Sequence, residues 1–175
     1  MTKATSKIII RTDPEFLRLG QPWPEQGGLF AGHLPAICRD GPGPDYFLIV
    51  PDDPKLFGAD LAWGPYGKKI DGADHKQDGA ANTQALLASE HSHPAAKFCA
   101  EFRHGGHADW HLPAQRELAV ICAVLPDLPA AGWYWSSTQY SSDGAWYSYF
   151  PSGVQNVNGK DYKGRVLPVR KVLAI

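Results

Sequence analysis

The sequence predicts an α+β domain built on a mostly antiparallel sheet, and three observations carry that expectation. Residues 82–125 are patterned for helices, while both ends read as short strands. The strand-rich end from Trp133 onward alternates aromatic runs with polar turns. Gly (18) and Pro (15) are abundant among the 175 residues, which favours many turns and few long helices.

The elements follow in order. Lys7-Ile8-Ile9-Ile10-Arg11 is short and β-branched, and reads as a first strand. Gly27-Gly28-Leu29-Phe30-Ala31-Gly32 looks like a turn entering a second strand. The breakers in residues 39–45 predict a hairpin loop. Tyr46-Phe47-Leu48-Ile49-Val50 is an apolar run suited to a strand buried on both faces, and residues 51–69 are expected as a loop carrying Trp63. Asn82-Thr83 is placed as the cap of a helix ending near Ser89. Pro94 suits the first turn of a second helix, on which Ala95, Phe98, Cys99 and Phe102 recur at helical spacing until Gly105-Gly106. A third helix begins near Pro113, with Leu118, Ile121, Cys122 and Leu125 as one buried stripe. Residues 133–136, 145–150 and 165–172 are the C-terminal strands, and Asn158-Gly159 suits a tight hairpin. Residues 8–10 are expected beside residues 166–172.

Composition narrows the function. Charged residues are 20% and hydrophobics 43%, with a net charge of -1, so nothing electrostatic favours a nucleic acid or an anionic membrane as partner. A chain of 175 residues can bury a full core without staples and is read as one domain over 1–175. Its lead-in and first strand occupy residues 1–20. Three cysteines, Cys38, Cys99 and Cys122, do not make a disulfide framework. The apolar run of residues 8–10 is too short for a signal-peptide core, and no segment is long enough to insert in a membrane. Synthesis and folding in the cytoplasm are expected, with release in a particle or by lysis left open.

The densest motifs lie in residues 109–172. Asp109-Trp110-His111-Leu112-Pro113 comes first, then Glu117-Leu118, Tyr134-Trp135-Ser136-Ser137-Thr138, Ala145-Trp146-Tyr147 and Pro168-Val169-Arg170. In that order and spacing they resemble the Lcl C-terminal domain family of bacterial surface proteins, prophage genes and tail-associated proteins. Upstream, residues 78–83 and 95–99 look like its helix-entry and first-helix pattern. Residues 23–32 with Pro44-Asp45-Tyr46 look like the opening of its phage-borne members. The resemblance implies a C-type-lectin-like fold, related to that of the formylglycine-generating enzyme and shared with the variable proteins of diversity-generating retroelements. In such proteins the C-terminal strands and loops display the ligand-binding residues.

The motif residues themselves are expected in the frame. Trp110, Trp135 and Trp146 suit core packing, since an indole buries a large area with one polar handle. Asp109 is expected to cap the third helix or hold a turn, and Glu117 and Arg170 to form framework ion pairs or hydrogen bonds. Ligand contact is assigned to the residues between motifs: Gln139, Tyr140, Ser142, Asp143, Ser148, Tyr149, Gln155, Asn156, Asn158, Lys160, Asp161 and Tyr162. Tyr, Ser, Asn and Gln combine rigid aromatic area with adaptable hydrogen bonding. Alternation puts Ala145, Tyr147 and Tyr149 on one face of their strand, with Trp146, Ser148 and Phe150 on the other.

Five of the seven histidines (His91, His93, His104, His107, His111) fall within 21 positions, yet no zinc signature accompanies them. They are expected to face solvent or be hydrogen-bonded. Asp71, Asp74, Asp78, Asp143 and Asp161 are too scattered to indicate calcium, so neither a metal nor a cofactor is expected. The related formylglycine-generating enzyme uses cysteines in its C-terminal part, and no Cys follows Cys122, so its chemistry does not carry over. No nucleophile elbow, phosphate loop or dinucleotide fingerprint occurs. The expectation is a non-enzymatic, phage- or prophage-encoded binding domain of a tail or host-attachment protein. Its partner would be a cell-surface glycan or protein receptor, engaged as a homo-oligomer, a trimer by family precedent. Alternatives are an intracellular interaction module of phage origin, a retroelement-diversified protein, and an enzyme with a deep pocket of titratable groups.

Overall fold

The computed structural model describes residues 18–35 and 44–174. Two sheets and three helices make up this part of the chain. Strands β1 (Pro22–Trp23), β2 (Gly28–Leu34), β3 (Tyr46–Val50) and β9 (Arg170–Leu173) form an antiparallel sheet in the order β1-β2-β3-β9. Strands β4 (Gly58–Ala62), β5 (Gly132–Gln139), β6 (Gly144–Phe150), β7 (Val154–Gly159) and β8 (Lys163–Val166) form the second, in the order β4-β8-β5-β6-β7. Only the short β5–β8 contact, Tyr134 opposite Arg165, is parallel. Helices α1 (Gly79–Ala88), α2 (Pro94–Glu101) and α3 (Gln115–Val124) pack on these sheets. The class is α+β, and the fold is C-type-lectin-like.

Helix α3 lies where the two sheets meet. Leu118, Ile121 and Cys122 pack with Leu34, Leu48 and Val50 of the first sheet and Tyr134 and Phe150 of the second. Each such apolar side chain contributes about 1.5–3 kcal/mol when fully buried. A bulge in β2 between Phe30 and Gly32 lets the helix approach closely. Gly32 has φ +141, and a Cβ there would stand 2.4 Å from Val120 Cγ1. On the other side of the second sheet, Trp63, Leu86, Ala95, Cys99, Leu112, Trp135 and Val166 form a second cluster. Trp23, Phe30, Ile49 and Trp110 make a third around the first sheet.

Several elements differ from expectation, each for a physical reason. Helix α1 starts at Gly79, capped by Asp78, whose side chain accepts from Ala81 N at 3.0 Å. Asn82 and Thr83 lie inside it and are buried. Their side chains anchor neighbouring segments: Asn82 exchanges hydrogen bonds with the His75 backbone, and Thr83 accepts from Leu112 N. Helix α2 stops at Glu101, before the glycine pair. Residues 51–69, expected as loop, contain β4, whose Gly-Ala-Asp-Leu-Ala sequence has little strand propensity and is recruited by pairing with β8. Residues 165–172 divide between the two sheets as β8 and β9, with Leu167-Pro168-Val169 crossing between them and Val169 bridging to His111. Asn158-Gly159 makes no hairpin, because β8 inserts between β4 and β5 rather than beside β7. The expected first strand at residues 7–11, its pairing with residues 166–172, and residues 39–43 of the expected hairpin loop lie outside the described residues. Among the described residues no helix is long and apolar enough to cross a membrane.

Candidate functional site

The motif residues build a frame. Trp135 is fully buried and donates its indole N–H to Leu61 O at 3.0 Å, while Trp63, equally buried, donates to Ser136 O at 2.9 Å. Trp110 is buried and donates to His107 O. Glu117 is inaccessible to solvent and accepts from Tyr46 OH (2.9 Å), Ala114 N (2.8 Å) and His111 Nε2 (3.3 Å). It thereby ties α3 to β3 and to the motif strand around His111. Arg170 holds Asp109 with two bonds, of 2.5 and 3.0 Å, and donates a third to Gln26 O. Asp109 therefore serves as counter-ion rather than helix cap. Burial raises its carboxyl, but the Arg170 hydrogen bond and charge outweigh this and leave it below the usual aspartate value.

The twelve residues assigned to ligand contact separate into three groups. Gln139, Ser148 and Lys160 are buried and belong to the frame, which corrects their assignment. Gln139 lies at the end of the central strand, where its side chain bonds Ile70 N, Ile70 O and the Lys160 ammonium. Ser148 lies opposite Tyr134 and receives Gln155 Nε2 at 3.2 Å. Half-buried Gln155 also bonds Gln115 at the start of α3, so it too ties sheet to helix. Their polarity misleads because interior strands here use amides and hydroxyls to hold loops.

The second group sits at the β5–β6 turn. Tyr140 is 63% exposed and meets the half-buried Trp146 edge-on at 5.5 Å. Trp146 is thus a partial exception to the expected core packing. Ser142 donates to Asp143 Oδ1 at 2.9 Å, and both lie at the turn.

The third group is an aromatic array on the second sheet. Tyr149 packs against Trp133 at 5.3 Å, Trp133 stacks on Tyr147 at 4.1 Å and 20°, and Tyr147 meets Tyr162 at 6.3 Å. Tyr162 is 44% exposed, and Tyr149 and Trp133 are half-buried. Register places Asn156 opposite Tyr147 and Val154 opposite Tyr149, so the edge strand β7 extends the same face with an amide and an apolar side chain. Asn156 and Asn158 also cap their own strand edge: Oδ1 of each accepts the following backbone N–H at 2.8 Å. Exposed Asp161 borders the array beside Tyr162. Trp133 and Tyr147 were absent from the candidate set. Their signal was strand parity, since Tyr147 shares a face with Tyr149, and Trp133 pairs with Tyr149.

A cleft of about 400 Å³ separates α1 from residues 108–111, lined among others by Gln84, Leu87, Trp110, His111 and Lys171. Its charged groups are engaged: Asp109 with Arg170, Lys171 with Asp78 at 2.6 Å, and His111 with Glu117. The other clustered histidines are held singly: His104 by Asp52, His107 by Glu25 O, His91 by Glu90, and His93 by Trp63 O and Ser89. Among the described residues no three His, Cys, Asp or Glu side chains converge in a way that could hold a metal ion.

Frame and face together define a C-type-lectin-like domain whose motif residues hold the scaffold and whose aromatic array reaches solvent. The sequence model of the Lcl C-terminal domain matches residues 59–170, and the chain belongs to this family. The match runs from β4 to Arg170, spanning all three helices and both partners of the Asp109–Arg170 pair. No curated protein matches the chain.

Proposed function

We propose that this is a non-enzymatic binding domain of phage or prophage origin that recognises a cell-surface glycan or protein receptor through the array Tyr149–Trp133–Tyr147–Tyr162. The observation that carries this reading is the array itself. Tyr162 is exposed and Trp133 and Tyr149 are half-buried around the buried Tyr147 ring, beside Asn156, on a sheet whose other strands are fixed by buried hydrogen bonds. Aromatic rings offer large contact area at little entropic cost, and neighbouring amides supply directional hydrogen bonds. In a tail or host-attachment protein the domain would act as a homotrimer, which raises avidity over weak single sites.

Labelled protein applied to host cells and a glycan array tests the function, with purified particles probed for the protein in parallel. Saturable binding without change to the ligand, and presence in particles, are the expected results. Absence from particles together with binding only to cytoplasmic proteins would establish an intracellular interaction module instead.

A further inference from the structure

His93, just before α2, is buried against the segment that follows β4. Its Nδ1 lies 3.1 Å from Trp63 O and its Nε2 3.0 Å from Ser89 Oγ. The backbone of that segment rests on the ring, for a Cβ on Gly64 would stand 2.4 Å from His93 Nδ1. The imidazole meets the Trp63 indole edge-on at 5.3 Å, and the Lys160 ammonium sits 4.7 Å from the centre of the same indole. That ammonium is buried, with Gln139 Oε1 at 2.7 Å and Lys68 O at 2.5 Å as its hydrogen-bond acceptors.

The hydrogen bonds around His93 are built to take a second proton. A carbonyl only accepts, so Nδ1 carries the hydrogen towards Trp63. Ser89 has one hydroxyl hydrogen and three neighbours able to receive it, His93 Nε2, Leu86 O at 2.9 Å and His91 O at 3.4 Å. Neutral His93 takes that hydrogen. Protonated His93 donates to Ser89 instead, and Ser89 turns to Leu86 O, so no bond is lost. Charge opposes the same step. The charged or titratable groups acting on His93 are Lys160 and His91, and both disfavour a cation there. Glu90 contacts His91 at 3.5 Å, and Asp143 acts on Lys160.

We propose that residues 63–73 form an acid-released flap, lifted from β5 when protonated His93 confronts the buried Lys160 ammonium across Trp63. Burial, with Lys160 and His91, holds His93 below its usual 6.5 despite the Trp63 hydrogen bond. The flap is therefore fully favoured above the unfolded value of 6.5, and that advantage is lost as pH falls from there through the folded value. Burial lowers Lys160 to about 8, so it stays charged throughout this window. Opening breaks the seats of Trp63 on Ser136 and of Ile70 and Ala73 on Gln139. It also moves Tyr66, which borders Gly159 at the end of β7. The flap does not depend on the array binding a ligand.

Hydrogen exchange read by mass spectrometry, corrected for intrinsic rates, tests this between about pH 7.5 and 5. Peptides covering residues 63–73 are expected to lose protection on acidification, while α3 keeps its own, because the open flap binds the His93 proton more tightly than the closed one. His93→Gln abolishes the loss, and Lys160→Met, which removes the facing charge and lets His93 titrate nearer its ordinary value, makes it smaller. An NMR titration of the unaltered protein gives the same answer without substitution, because His93 and the Trp63 indole share one midpoint. Protection that does not change with pH, an undiminished loss in His93→Gln, or a His93 titration that leaves Trp63 unmoved overturns the proposal.

Discussion

Glu117 is where the frame is most sensitive. It is fully buried and accepts three hydrogen bonds, from Tyr46, Ala114 and His111. Glu117→Ala leaves Ala114 N–H and the His111 ring without that acceptor, while the single Tyr46 hydroxyl hydrogen can turn to Gln77 O. Each orphaned buried polar group costs about 1–3 kcal/mol. Removing one partner of a buried charged network costs about 3–5 kcal/mol in total. Domains of this size have about 5–15 kcal/mol of stability, so the loss is a large fraction of the whole. Glu117→Gln keeps the shape: its amide oxygen can accept from Ala114 N and its NH2 can donate to the Tyr46 oxygen. Its cost is about 1–2 kcal/mol. Urea unfolding followed by tryptophan fluorescence measures both, with the midpoint shifting and the slope unchanged. An alanine variant within about 1 kcal/mol of the parent, or a glutamine variant worse than alanine, refutes the reasoning.

Other consequences follow from the same frame. Asp109 is held below the usual aspartate value, so its contribution to stability is complete above the unfolded value and is lost as pH falls through the folded one. Acid titration of stability should therefore fall less steeply below about pH 4 in Asp109→Asn than in the parent, and equal slopes would deny the pair this role. Gly105 has φ +57, and a Cβ there would lie 2.2 Å from Gly27 Cα, whereas Gly106 has φ +79 and open space around it. Gly105→Ala should cost about 2–4 kcal/mol through strain plus collision, and Gly106→Ala only about 1–2 kcal/mol from the backbone conformation. Thermal unfolding of the two variants checks the order, and equal melting temperatures would contradict it.

Much of this architecture was legible in the residues. Leu118, Ile121 and Cys122 at helical spacing predicted the buried stripe of α3, and the run from Tyr46 to Val50 predicted a buried strand, because periodicity and burial are local signals. The structural role of Trp110 and Trp135 followed from their size and single polar handle. What escaped depends on non-local pairing. Strand β4 exists because β8 lies beside it, and the division of residues 165–172 between two sheets is a property of topology rather than of local sequence. The same limit explains the candidate site. Gln139, Ser148 and Lys160 look like surface residues by composition, but Ile70 and Trp63 reach Gln139 and Lys160 from distant parts of the chain, and Ser148 is covered by Gln155, which bonds Gln115 at the start of α3. Exposed Tyr162 was identified, whereas Trp133 was missed because its role comes from a cross-strand partner.

The division between a fixed frame and a recognising aromatic face is tested most directly by glycan-array and host-cell binding of Tyr162→Ala and Tyr149→Ala beside Tyr140→Ala. Tyr162 and Tyr149 end the array, while Tyr140 lies at the β5–β6 turn with Trp146 and is more open to solvent than either. Loss of a central anchor costs about 2 kcal/mol or more, or about thirtyfold in affinity. Binding weakened to that extent by the first two substitutions, with Tyr140→Ala near the parent and all three variants equally stable, is the predicted result. Unchanged binding by folded Tyr162→Ala and Tyr149→Ala would contradict it.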